Sequence, residues 1–321
     1  MTLDCSLQPQ ALTVSQLCLS IGNKIIADKI SFSIPSKTKV ALVGLNGAGK
    51  SSLIKLLIGE LKADEGDIRF QPELVEGGGN GKFTPDSRSF KAKLGYQASN
   101  MLALGAVTAY EYLRLCCQLK GMLKSSVENQ IAKVVEQWQL SEIISRPLTQ
   151  LSQGNLQKLM IAQAFINQAE FIFLDEPTQA LDPVEQQRFV DNLCELDDFQ
   201  ICLFSSHHIS EAVATANLVL ILHCGQLVAL LNLDSENEYW LMTNLSQEKL
   251  ESVISSFKHQ MVSIELCYQN KNNLFCIRNL SAEIWKKLLQ ELAPIDQSLN
   301  GLGRASHAMM PLFAILANEQ L

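Results

Sequence analysis

The sequence predicts an α/β fold built on a mixed or parallel sheet, with an antiparallel β lobe before it, an inserted helical lobe and a small α+β appendage after it. Three observations predict this. The run KVALVG leads straight into a glycine-rich loop and then into KSSLIKLLIGEL, whose Leu53, Ile54, Leu56, Leu57, Ile58 and Leu61 suit a helix packed on a sheet. Two further apolar runs, FIFL and ICLF, hold few polar residues, as strands buried on both faces of a parallel sheet do. Between Thr108 and Gln168 the pattern is almost wholly helical.

Taken in order, LTVSQLCLS and ISFSI alternate with turns ahead of the loop and make the β lobe. Residues 71–93 turn loose around EGGGNGKFTPDS, which reads as a flexible insertion or hairpin tip. TAYEYLRLCCQLK, SSVENQIAKVVEQWQL and LSQGNLQKLMIAQAFINQ form the helical lobe, about residues 98–168. PVEQQRFVDNLCEL and HISEAVATA are the helices that separate and follow the buried strands. LVLILHCGQLVALLNL, split by His223, Gly225 and Gln226, reads as two strands joined by a turn rather than as a membrane span. After about Asp234 the composition turns more polar, and QEKLESVISSF, MVSIELCY, NLFCIRNL and AEIWKKLLQEL outline the appendage. The expected division is a main domain over 1–232 and an accessory domain over 233–321.

Composition narrows the function. With 47% hydrophobic and 18% charged residues over 321 positions, the chain has enough apolar content for a large core. A net charge of -7 argues against a chain whose main work is holding nucleic acid. The nine cysteines contain no C-x-x-C pair, and Cys116 and Cys117 lie in a helical stretch where neighbouring side chains diverge; reduced thiols and a cytoplasmic location are expected. The first residues lack a charged start with an apolar run, and no stretch of about 18 apolar residues occurs. His259, His307, Cys267 and Cys276 are too dispersed for a metal site, and Trp285 with Leu288, Leu289 and Leu292 reads as the buried stripe of a helix.

The chemistry begins at GLNGAGKSS. Gly44, Gly49, Lys50 and Ser51 match G-x-x-x-x-G-K-[ST] between a strand and a helix, the context that marks a P-loop NTPase. Such a loop points backbone N–H groups from Gly44, Leu45, Asn46, Gly47, Ala48, Gly49, Lys50, Ser51 and Ser52 into one concavity that takes a triphosphate. Lys50 then reaches the β- and γ-phosphates, and the Ser51 hydroxyl ligates Mg²⁺. FIFLDEP places Asp175 and Glu176 at the carboxyl edge of the sheet, Asp175 toward the metal and Glu176 toward the attacking water. In SSHHIS, His207 sits at a strand tip within reach of a γ-phosphate, while His208 is read as a cap for the next helix. Ser152 in LSQGN is a good N-cap, and a serine hydroxyl with free N–H groups at a helix start makes an anion site without a lysine.

The ordered set of phosphate loop, helical lobe, LSQGN, FIFLDEP, ALDP and SSHH resembles the nucleotide-binding subunits of ATP-binding cassette (ABC) transporters over roughly residues 10 to 232. The resemblance implies ATP as ligand, a transmembrane permease and a second ATP-binding subunit as partners, and work at the inner face of the cell membrane. It implies that two such domains close head to tail, with the Ser152 and Gly154 signature of one against the ATP held by the other, and that ALDP passes between the sites. Four departures from the family pattern stand out. Ile21 stands where an aromatic residue usually stacks on adenine. Gln153 and Asn155 replace a glycine and a glutamine of the signature. The glutamine that bridges metal and water is expected near Ser99, yet the nearest glutamine is Gln97, so either residue can occupy that position. Leu45 and Ser52 stand where Pro and Thr are common. LGYQASNMLALGAVTAYEYLRL and the appendage are similar to exporter-type subunits of the ABC-2 class. Two readings stay open: an ATPase that powers transport, or a weakly hydrolytic regulatory subunit paired with a more complete one.

Overall fold

The computed structural model describes residues 10–71, 83–99, 107–255, 262–269, 273–296 and 299–318; EGGGNG and His259 fall outside the described residues. The chain runs β1 (Gln10–Ile21), β2 (Lys24–Pro35), β3 (Thr38–Val43), α1 (Lys50–Leu57), β4 (Glu65–Phe70), α2 (Arg88–Lys93), β5 (Leu94–Gln97), α3 (Ala109–Leu119), α4 (Lys124–Gln137), α5 (Gln153–Ala164), β6 (Phe171–Leu174) and α6 (Pro183–Cys194). It continues with β7 (Ile201–Ser206), α7 (Ile209–Thr215), β8 (Leu218–His223), β9 (Gln226–Asn232), β10 (Glu238–Thr243), α8 (Gln247–Ser255), β11 (Ser263–Gln269), β12 (Asn273–Arg278), α9 (Ala282–Leu292), β13 (Asn300–Arg304) and α10 (Ala305–Asn318).

The central sheet has the order β5-β6-β7-β3-β8-β9, parallel from β5 to β8 and antiparallel between β8 and β9. Its strands alternate side chains between two cores, as a pleated strand covered on both faces must. Val40, Leu42, Phe171, Phe173, Ile201 and Leu203 join α1 and the antiparallel β2-β1-β4 lobe. Ala41, Val43, Ile172, Leu174, Cys202 and Phe204 join the helical lobe on the other side. There Leu113, Val127, Ile131 and Leu159 come from α3, α4 and α5, and Trp138 lies 5.1 Å from Phe165 between ring centroids.

Local signals start the helices where they start. α3 opens on a capping box, with Thr108 accepting from the Glu111 N–H and the Glu111 carboxylate accepting from the Thr108 N–H. α6 opens on Asp182, which caps the N–H groups of Val184 and Glu185 ahead of Pro183 in the first turn.

The segment after Asn232 folds into a second antiparallel sheet, β11-β12-β10-β13. One face of it, with Tyr239, Leu241, Phe275 and Ile277, is covered by α8 and α9 through Leu250, Trp285, Leu288 and Leu292. The other face, with Trp240, Met242, Leu274 and Cys276, is continuous with the core beneath the central sheet, and Ala308, Met309 and Leu312 of α10 fill the space between. α10 accordingly touches β9, β10 and α7. β10, β13 and α10 were not read from the sequence, whereas Trp285, Leu288 and Leu292 form the buried stripe expected of α9. Among the described residues all cysteines are free, and no helix is long and apolar enough to cross a membrane.

The helical lobe meets the sheet at β5, against the C-terminal end of α5. Gly95 makes that approach possible: a Cβ there would stand 1.9 Å from the Ala164 carbonyl oxygen. The neighbouring Gln163 side-chain amide donates to the Tyr96 carbonyl. Gly95→Ala is expected to push α5 off the sheet and cost about 1–3 kcal/mol, read as a lowered urea midpoint; an unchanged midpoint would show that the helix is not seated on this glycine.

Candidate functional site

The loop between β3 and α1 is shaped by its glycines. A Cβ on Gly44 would lie 2.4 Å from the Leu222 carbonyl oxygen, and one on Gly49 would lie 2.9 Å from the Ile26 carbonyl oxygen. Gly49 also has φ of +106°, a region that favours glycine. It is the N-cap of α1 and has no side chain to offer, so the first N–H groups of the helix, from Lys50, Ser51 and Ser52, remain for an anion. Gly47, at φ +80°, has open space where a side chain would be. Leu45, Asn46 and Ala48 complete the turn, with the Ala48 N–H donating to the Leu45 carbonyl at 3.1 Å.

Parallel pairing of β3, β7 and β6 brings the ends of these strands to one edge. Lys50 is 4% exposed; its Nζ donates to the carbonyls of Gly44 (2.9 Å) and Leu45 (3.3 Å) and lies 3.5 Å from Glu176 Oε1. Glu176 Oε2 is 3.8 Å from His207 Nδ1, so the carboxylate sits between a lysine and a histidine. Asp175 is fully buried and accepts at Oδ1 from the Ser51 hydroxyl (3.1 Å) and the Ser205 hydroxyl (2.8 Å). Its Oδ2 has no hydrogen-bond partner. Gln97, at the end of β5, pairs in register with Leu174 and donates its side-chain N–H to the carbonyls of Ala98 (2.6 Å) and Asp175 (3.3 Å), leaving a buried Oε1 without a partner. A hydroxyl, a carboxylate oxygen and an amide oxygen, two of them buried and unsatisfied, are the hard donors that Mg²⁺ takes. Ser99 is exposed. Beside this cluster, burial raises the Tyr96 phenol well above its usual range, with Glu60 and Asp175 adding to the shift, so the ring stays neutral.

The remaining predicted residues belong to other places. Ser152 is exposed and caps α5, accepting from the Asn155 N–H at 3.2 Å. Gly154 faces the Ala180 carbonyl of ALDP, which a Cβ would approach to 3.1 Å. Ile21 ends β1 at the tip of the β1–β2 hairpin and is 54% exposed. Further along β2, Ile26 lies against Gly49. One expectation needs correction. His208 stands at the N-cap of α7, but its side chain makes no capping bond. Ser206 ties that turn instead, accepting from the His208 N–H (2.9 Å) and donating to Glu211 Oε2 (2.7 Å).

Sequence reasoning missed two residues of this neighbourhood. Ser205 accepts from the Glu176 N–H at 2.8 Å while donating to Asp175, and Gln157 of α5 donates to the carbonyls of Glu176 (3.3 Å) and Pro177 (2.9 Å). A serine two places before His207 was a signal for the first. Nothing in the pattern of α5 singled out the second.

A phosphate loop at a strand–helix junction, faced by acidic residues from the tip of a parallel strand one position removed in the same sheet, defines a P-loop nucleoside triphosphatase. Residues 27–179 match the family model described as ABC transporter. The chain is 28% identical over 243 residues to an uncharacterised ABC transporter ATP-binding protein, YxlF, of Bacillus subtilis, covering 75% of this chain and 78% of that one. A solved ATP-binding subunit of an ABC transporter matches with TM-score 0.60 and 26% identity, over 70% of this chain and 90% of its own. The dimeric post-hydrolysis structure of the ATP-binding cassette MJ0796, bound to ADP and Pi, shares the fold at TM-score 0.60 and 21% identity, over 70% and 99% of the two chains. Residues 27–179 are thus an ATP-binding and ATP-hydrolysing cassette of the ABC transporter kind, and the chain around them is similar to ATP-binding subunits of such transporters.

Proposed function

We propose that this chain closes head to tail with a second ATP-binding subunit around two ATP molecules and so drives a membrane permease, in the direction of export. The reading rests above all on one connected cluster: Lys50, Glu176 and His207 in a row, with Ser51 and Ser205 on Asp175 beside them. A regulatory, non-hydrolytic role is disfavoured because all three groups of that row are present and in mutual reach.

In the proposed cycle, residues 44–52 wrap the phosphates with backbone N–H groups, and Lys50 exchanges the carbonyls of Gly44 and Leu45 for phosphate oxygens. Ser51, Asp175 and Gln97 are the residues that would hold Mg²⁺, which when bound offsets charge on the phosphates. Glu176 loses its partner when Lys50 turns to the nucleotide, and its carboxylate is then available to orient the attacking water and take its proton. His207 donates to the γ-phosphate and reports its presence, and the adenine packs on Ile21. The Ser152 hydroxyl accepts from its own helix, so its hydrogen is left to donate to a phosphate oxygen; with Gly154 it completes the site of the opposite subunit. The cassette is residues 1–232, with 233–321 as an accessory module on its core. The chain works at the inner face of the membrane, held there by the permease; a resemblance to ABC-2 exporter subunits supports the direction.

Two substitutions test this. Glu176→Gln keeps the shape but removes the base; turnover should fall by roughly 10²–10⁴-fold, and ATP should trap a dimer visible by light scattering. A variant that stays monomeric with ATP would overturn the sandwich. Ser152→Arg should bind fluorescent ATP like the wild type yet neither dimerise nor hydrolyse; normal hydrolysis would leave LSQGN as a helix cap alone.

A further inference from the structure

Glu176 has φ of +49°, a backbone conformation that side chains larger than glycine seldom adopt. Such a residue persists only where its surroundings over-determine it. Here two side chains do so, from opposite ends of one short segment. Ser205, fully buried at the end of β7, accepts from the Glu176 N–H at 2.8 Å. Gln157, half-buried on α5, donates to the Glu176 carbonyl at 3.3 Å and to the Pro177 carbonyl at 2.9 Å. Both backbone groups of Glu176 are therefore engaged by side chains, in a turn outside the strand ladders whose Glu176 carbonyl also accepts from the Gln179 N–H at 3.3 Å. The carboxylate these bonds aim lies between Lys50 and His207.

We infer that Ser205 and Gln157 are positioning residues for ATP hydrolysis: together they lock the left-handed turn at Glu176 and hold its carboxylate where the water attacks. The inference rests on the reading of Glu176 as the base. The two members differ in a useful way. Ser205 also donates to Asp175 Oδ1, alongside Ser51, and this leaves the partnerless Oδ2 as the oxygen that would take the metal. Among the described residues, the side-chain hydrogen bonds of Gln157 go to the backbone around Glu176. It reaches there from the helix that Ser152 begins, so the segment proposed to face the opposite subunit's nucleotide is bonded directly to the catalytic turn of its own.

The test uses the full chain with Ser205→Ala, Gln157→Leu, the double variant and Glu176→Gln. Each single variant should lose about 10–100-fold in kcat, with KM for ATP and metal-free fluorescent-ATP affinity unchanged. A merely structural defect would lower the melting temperature and nucleotide binding along with the rate. Gln157 lies on a helix surface and serves as the second handle if the buried serine does not tolerate replacement. In the double variant the losses should not multiply, because both act on one turn. Binding of Mn²⁺ to the ATP-loaded protein, followed by electron paramagnetic resonance, should weaken about tenfold in Ser205→Ala and stay the same in Gln157→Leu. Full kcat in either single variant, multiplying losses, or a defect confined to KM would overturn the clamp. Wild-type turnover by Glu176→Gln would instead overturn the function reading beneath it.

Discussion

A buried ammonium organises this molecule. Lys50 is almost wholly removed from water, and an isolated charge there would cost several kcal/mol. It is kept by the carbonyls of Gly44 and Leu45 and by the Glu176 carboxylate, three acceptors on two different strand ends. That requirement explains much of the surrounding architecture. The loop must curl back on itself, so Gly44 and Glu176 both take conformations or approaches that ordinary residues resist, and β3 and β6 must end at the same edge of the sheet with β7 between them. The same arrangement makes the resting site a poised one, because the acceptors that satisfy Lys50 are of the kind that phosphate oxygens replace.

The parallel sheet was legible in the sequence because each of its strands is covered on both faces. FIFL and ICLF alternate between two cores, and apolar residues are required at every position. The loop at 44–52 was legible because glycine and lysine are demanded by sterics and charge rather than by packing. β10 escaped notice for the opposite reason: EYWLMT is also buried throughout, yet it opens on Glu238, whose charge is absorbed by Arg278 and the Trp240 indole N–H. Burial raises the Glu238 carboxyl pKa while Arg278 opposes that shift, a balance that exists only once β10 and β12 have paired. α10 carries Pro311 inside its span, which argues against a helix locally; packing of Ala308, Met309 and Leu312 outweighs it.

Within the site, what could be read was the identity of groups suited to meet phosphate, and what could not was their support. Ser205 and Gln157 are ordinary polar residues on a strand and a helix, and their importance lies in which backbone atoms they reach. Those atoms come together only after β6, β7 and α5 have packed. His208 shows the same limit from the other side. A residue before a helix suggested a cap, but Ser206 is better placed to satisfy the turn, and the two imidazoles lie tilted against each other with 4.0 Å between ring centroids.

The placement of α5 ties these observations together. One end of the helix is seated on the sheet through the Gly95 approach and the Gln163 bond to Tyr96, next to Gln97. Its middle is bonded to the carbonyls of Glu176 and Pro177, and its start is capped by the exposed Ser152, with Gly154 against Ala180. A single rigid rod thus contacts the glutamine strand, the acidic turn and the segment ahead of α6. Any displacement of its exposed start must be carried to at least one of the other contacts, since a helix of this length bends little. α5 is therefore not merely a helix packed on the sheet: it is a rod braced directly on the turn that holds Glu176.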